Sequence, residues 1–149
     1  MWLVACHCQG CNCYSLQPRI DIDGDGNVRC ECAGNAMALP GASYREADRS
    51  LFDAIVASLH SARVTSMQAA RLALELEDCR LGPASKLARL SELVPSLAIM
   101  ELIATADAAT ARTAAGMFDL LLQALSATNR ISDVSALAGA SATTQQRQS

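Results

Sequence analysis

Six of the chain's seven cysteines fall in the first 32 residues, as Cys6-His7-Cys8-Gln9-Gly10-Cys11-Asn12-Cys13 and then Cys30-Glu31-Cys32. Thiolates are soft, anionic ligands, and this density of them points to a bound metal. The Cys8-Gln9-Gly10-Cys11 segment has the spacing of a knuckle that turns two thiolates towards one ion, and Gly10 frees the backbone for the tight loop. Cys30 and Cys32 are two residues apart, so on a strand they share a face. Bringing that face against the knuckle completes a four-thiolate tetrahedron. The candidate ligands are Cys6, Cys8, Cys11, Cys13, Cys30 and Cys32, with Cys6 and Cys13 the outer members.

Zinc is the expected cofactor, because a thiolate set with no open position is the usual structural zinc site. Six sulfurs exceed the four that one zinc takes, and the Cys-x-Cys spacing also suits Cu(I) or sulfurs shared between two ions. An iron–sulfur cluster and, in an oxidising compartment, disulfides are the alternatives. Adjacent Cys-x-Cys bridges are strained, and no export signal precedes the cluster, which argues for a reducing compartment: the cytoplasm, or a particle assembled there. His7 alternates with the cysteines and is expected to point away from them. A zinc enzyme would need an open coordination position and a base, and only His7 and Glu31 offer themselves. Cys79 stands alone in a helical segment and reads as a small core residue.

Between the two groups of cysteines, Asp21-Ile22-Asp23-Gly24-Asp25-Gly26-Asn27-Val28 resembles the start of an EF-hand or dockerin calcium loop. Asp21, Asp23 and Asp25 match its oxygen ligands, Gly26 its turn and Val28 its apolar anchor. The pattern then fails: Cys32 takes the place of the bidentate Glu, Arg29 stands at the ninth position, and Pro18 replaces an entering helix. Calcium at Asp21, Asp23 and Asp25 is therefore not expected. A β-hairpin reads better, with Ile20 and Ile22 on one arm, Val28, Cys30 and Cys32 on the other, and Gly24 to Asn27 as the turn.

The rest of the chain must position this module. Of 149 residues, 51% are hydrophobic, 18% charged and only 3% aromatic, with a net charge of -3. Such a chain folds, and a core of Ala, Leu, Val and Ile favours close-packed helices. The twelve basic residues form no run, so nucleic acid is not an expected partner. No segment approaches the run of about 18 apolar residues that spans a bilayer.

After a linker at Gly34 to Gly41, Ser43-Tyr44-Arg45-Glu46 reads as a capping box. Leu51, Ile55 and Leu59 form a helical stripe behind it. Thr65-Ser66-Met67-Gln68 is a second box, Gly82-Pro83 a stop, and a short helix follows from about Ser85 to Leu93. Pro95 then suits the start of another helix. At 100° per residue, Glu101, Thr105, Arg112, Asp119, Gln123, Ser126 and Arg130 fall on one polar stripe, which predicts a single helix from Ser96 to Arg130. Its opposite side carries Ile99, Ile103, Ala106, Ala114, Met117, Leu121 and Ala124, an arc too wide for one neighbour. Glu101 and Asp119 are about 27 Å apart on such a helix and cannot act as paired acids.

The sequence thus predicts a mainly α-helical bundle with one long central helix, preceded by a Cys-rich, metal-stapled β-hairpin module. The module spans 1–35, the bundle 43–131, and a short turn with a polar flexible tail 132–149. Loss of the metal is expected to melt the first 35 residues and spare the helices. With no catalytic set, the expected function is a non-enzymatic interaction or assembly protein, a structural component of a larger particle such as a virion or secretion apparatus. Self-association or a protein partner is expected on the helix from Ser96 to Arg130. The alternative is a soft-metal sensor, store or chaperone using the surplus thiolates.

Overall fold

The computed structural model describes residues 1–78, 80–97 and 107–147, with side chains described as far as residue 127. Cys79 and the stretch 98–106 of the expected central helix lie outside the described residues. The chain opens with β1 (Leu3–Cys8) and β2 (Cys13–Pro18), then β3 (Asn27–Arg29) and β4 (Asn35–Tyr44). Among the described residues four helices follow: α1 (Arg49–Ser61), α2 (Ser66–Leu76), α3 (Pro83–Leu93) and α4 (Ala108–Arg147). The strands form one antiparallel sheet in the order β2-β1-β4-β3.

The fold is α+β, with helices packed on a curled four-stranded antiparallel sheet. This corrects the expected mainly α-helical bundle with one long central helix. Leu3, Ala5, Tyr14, Leu16 and Tyr44 of the sheet share a continuous core with Phe52, Ile55 and Leu59 of α1, Leu72 and Leu76 of α2, Leu87 and Leu90 of α3, and Met117, Phe118, Leu121 and Leu122 of α4. The sheet is a structural layer of the domain rather than an appendage. Strand β1 is buried along its whole length. Alternation explains this: Leu3 and Ala5 face the helices, while Cys6 and Cys8 face a second, smaller cluster with Val28 and Ala36. A central strand covered on both sides carries no polar alternation.

Strand β4 occupies the segment expected to be a linker. Its Pro40 and Gly41 sit in a bulge, where Cys6 pairs with Ala38 but Val4 already pairs with Ser43. Gly41 has φ +151°, and a Cβ there would come within 2.5 Å of Leu120 Cδ1 on α4. A Gly41→Ala change is expected to cost about 1–3 kcal/mol, from the strained backbone more than from the movable leucine. Denaturant unfolding would measure it as a lower midpoint.

The hairpin expected around Asp23 is replaced by a different pairing. Arg19–Asp21 forms a 3₁₀ turn, and β3 pairs with β4 instead. Asp23 Oδ1 accepts from the amides of Asp25 and Asn27 at 2.9 and 3.0 Å. The loop closes on its own aspartate rather than on a strand partner.

In the helical layer, the Thr65–Gln68 capping box forms in both directions. The box expected at Ser43 moves two residues on: the Arg45 amide donates to Asp48 Oδ2 at 2.9 Å, because Ser43 and Tyr44 are still in β4. Pro83 opens α3. Pro95 and Ser96 lie in a turn, and α4 begins only at Ala108, where Asp107 Oδ1 accepts from the Thr110 amide at 2.8 Å. The single helix expected from Ser96 to Arg130 is therefore broken at Asp107.

Candidate metal centre

Two hairpin turns meet at one end of the sheet. The β1–β2 turn spans 9–12, closed by the pairing of Cys8 with Cys13. The β3–β4 turn spans 30–34, closed by Cys30 N–H to Gly34 O at 3.0 Å and Ala33 N–H to Cys30 O at 2.9 Å. In each, a residue with positive φ follows a cysteine: Asn12 at 57° and Ala33 at 69°. These reversals swing Cys11 and Cys32 inward. The imidazole of His7 stacks on Tyr14, with centroids 4.4 Å apart, and its Nε2 shares a 2.8 Å hydrogen bond with Asn12 Oδ1. His7 thus braces the first turn, facing away from the sulfurs as its place on the strand predicts.

The turns bring Cys8, Cys11, Cys30 and Cys32 together, with all four sulfurs within 4.8 Å of one another. Cys8 Sγ lies 3.6 Å from Cys32 Sγ, and Cys11 Sγ 3.6 Å from Cys30 Sγ. Four sulfurs at about 2.3 Å from a zinc ion define a tetrahedron with edges of about 3.8 Å. The quartet therefore has the donor set, number and spacing to hold one tetrahedral metal ion. Each turn supplies two ligands, so an ion would fasten β1–β2 to β3–β4.

Cys6 and Cys13 lie outside this quartet. Cys6 is fully buried beside Val28 and Ala36, and its thiol donates to Val4 O at 3.6 Å. Burial pushes its pKa up to about 11. Cys13 is exposed, with its thiol on Cys11 O at 3.7 Å. The period-two spacing that made them candidate ligands puts Cys6 one pleat deeper in the sheet and Cys13 beyond the turn.

Electrostatics single out Cys8. The Cys11 amide, opposing the cost of burial and aided by Cys32, brings its pKa down to about 7. Cys11 is displaced upward, first by its contact with Cys13, then by burial and by Cys30. At Cys32 the Gly34 amide donates to the sulfur at 3.3 Å and favours the thiolate, but proton sharing with Cys30 and Cys8 leaves the net shift upward. The thiols share protons, so the first ionisation belongs to the group, with the Cys11 amide favouring the thiolate at Cys8.

The two glycines of the turns give the sulfurs their room. A Cβ on Gly34 would sit 3.1 Å from both Cys32 Sγ and Cys8 Sγ, and one on Gly10 would sit 3.6 Å from Cys8 Sγ. Gly34 carries no cysteine signature, yet it is as closely placed as a ligand. A Gly34→Ala change displaces two sulfurs by a few tenths of an ångström and is expected to weaken metal binding by about 10–100-fold. Competition with a chromophoric chelator would measure this.

Among the described residues no helix is long and apolar enough to cross a membrane. Comparison with known proteins finds no matching family model, no significantly similar curated protein and no significantly similar solved structure.

Proposed function

We propose that this chain is a non-enzymatic, metal-stapled interaction and assembly protein, with zinc as the resident ion. The observation that carries the reading is the closed quartet of Cys8, Cys11, Cys30 and Cys32. Four protein sulfurs leave no coordination position for substrate, and a catalytic zinc keeps one open. His7, one of the two candidate bases, is engaged with Asn12. The placement of Cys6 and Cys13 away from the quartet supports one ion rather than a shared-sulfur cluster. The thiolates imply a reducing compartment: the cytoplasm, or a particle assembled there.

The interaction surface on this reading is not the apolar arc of α4. Met117 and Leu121 are covered by the chain's own sheet and helices, so the arc that motivated self-association has its partner within the domain along 108–127. Apolar surface instead stands out on α2 and at the end of α3, where Met67, Leu74 and Leu93 are 75%, 66% and 45% exposed.

The test is a zinc titration of chelator-stripped, reduced protein. Saturation at one equivalent, with the N-terminal amides gaining protection from hydrogen exchange, supports the structural staple. Reversible uptake of several equivalents would instead support a soft-metal sensor, store or chaperone and overturn this proposal.

A further inference from the structure

The sulfurs of the quartet are paired across the two turns. The 3.6 Å contacts, Cys8 Sγ to Cys32 Sγ and Cys11 Sγ to Cys30 Sγ, each join the β1–β2 turn to the β3–β4 turn. Four cysteines allow three ways of forming two disulfides. Pairing within the turns requires a Cys30–Cys32 bridge across a single residue, which is strained. Pairing Cys8 with Cys30 and Cys11 with Cys32 uses neither contact. Pairing Cys8 with Cys32 and Cys11 with Cys30 follows both.

Closing either contact brings the sulfurs from 3.6 Å to a bond of about 2 Å. Gly34 keeps room beside the first pair, since a Cβ there would sit 3.1 Å from both Cys8 Sγ and Cys32 Sγ. Both pairs can be reached from solvent: Cys32 is exposed, and Cys11 and Cys30 are half-buried. Cys6 is sealed in the smaller core cluster.

We propose that the quartet exchanges one staple for another: a peroxide converts it to Cys8–Cys32 and Cys11–Cys30 disulfides and releases the ion. This rests on the reading of the quartet as a zinc site. In each pair one thiolate, Cys32 in the first, attacks a peroxide oxygen. The O–O bond breaks, and a sulfenic acid and a hydroxide form. The second thiolate attacks the sulfenic sulfur, closes the S–S bond and expels a second hydroxide. Two protons from solvent turn the hydroxides into water. Each pair gives up two electrons to one peroxide, and neutral disulfide sulfurs no longer hold the ion. Because both bridges cross between the turns, β1–β2 stays fastened to β3–β4. The ion fastens the turns in reducing surroundings, and sulfur–sulfur bonds fasten them in oxidising ones.

The test uses full-length, zinc-loaded protein and hydrogen peroxide. A chromophoric chelator follows zinc release, mass spectrometry of unreduced peptides maps the bridges, and hydrogen exchange reads residues 19–35. Complete release with about two equivalents of peroxide is expected, together with the two cross-turn bridges. Residues 19–35 are expected to exchange at least about tenfold more slowly than in chelator-stripped, reduced protein. Cys13→Ser protein is expected to form the same bridges. Reduced protein that binds no zinc would overturn the metal reading and the exchange with it. Protein that binds zinc but gives Cys8–Cys11 and Cys30–Cys32 bridges, bridges that require Cys13, sulfinic or sulfonic acids, or an open 19–35 segment after oxidation would overturn the exchange alone.

Discussion

Replacing Cys8, Cys11 or Cys30 by serine is expected to abolish metal retention, whereas Cys13→Ser leaves one ion per chain and Cys6→Ser keeps the ion at some cost in stability. The difference follows from the quartet: all its sulfurs lie within 4.8 Å of one another, and Cys6 and Cys13 are not among them. A structural zinc supplies about 10–16 kcal/mol of apparent binding free energy, and removing one ligand of four forfeits orders of magnitude in affinity. The region that responds is β3 with the two turns. The cluster behind the sulfurs holds only Cys6, Cys8, Val28 and Ala36, with a few half-buried neighbours, too little apolar surface to keep a three-residue strand in place. Strands β1 and β2 have a second anchorage, since Leu3, Ala5, Tyr14 and Leu16 pack into the helical core. Hydrogen exchange on the Cys8→Ser protein should open residues 19–35 and leave α1–α3 protected. The expected boundary of the metal-dependent part thus runs through the sheet rather than at residue 35.

The second large effect is on pH. Binding a metal ion requires thiolates, so every proton still held by the quartet must leave. With Cys8 lowered to about 7 and Cys11 and Cys32 displaced upward, at least two protons are expelled above pH 7. Below it the proton on Cys8 makes at least three. Protons compete with the ion, so affinity falls as pH falls. The expected slope is about a hundredfold or more per pH unit above pH 7, steepening to about a thousandfold or more below it. Competition titrations across pH 6 to 8.5 would measure it, and a flat profile would mean that the thiols are already ionised or are not the ligands.

The site was more legible in the sequence than the fold. Cys8, Cys11, Cys30 and Cys32 were readable because thiolate spacing carries its own geometry. Period-two spacing puts Cys30 and Cys32 on a hairpin strand, whereas they lie in the turn between β3 and β4. The Gly24–Asn27 segment has strong turn chemistry, but Asp23 satisfies the nearby amides itself, leaving β3 free to pair with β4. Strand β4 was hidden because Pro40 and Gly41 mark a linker in local terms, and only the approach of Leu120 from α4 reveals why they belong in a bulge. Strand β1 was hidden by its double burial, which erases the alternation that identifies half-exposed strands. On the last helix the polar stripe holds at Arg112, Asp119 and Gln123 but not at Ser126, which is buried, and periodicity alone carries it across residue 107, where an aspartate cap starts the helix. The capping box at Thr65 and the stop at Gly82-Pro83 are readable because their signals are local.

The central claim is that these four sulfurs hold a single metal ion with no other ligand. X-ray absorption at the metal edge of protein purified without added metal tests it most directly. The expected result is one zinc per chain with a first shell of four sulfurs at about 2.3 Å and no nitrogen or oxygen, unchanged in Cys13→Ser protein. A shell containing nitrogen or oxygen, a metal–metal vector, or a metal-free protein with intact reduced thiols would contradict it.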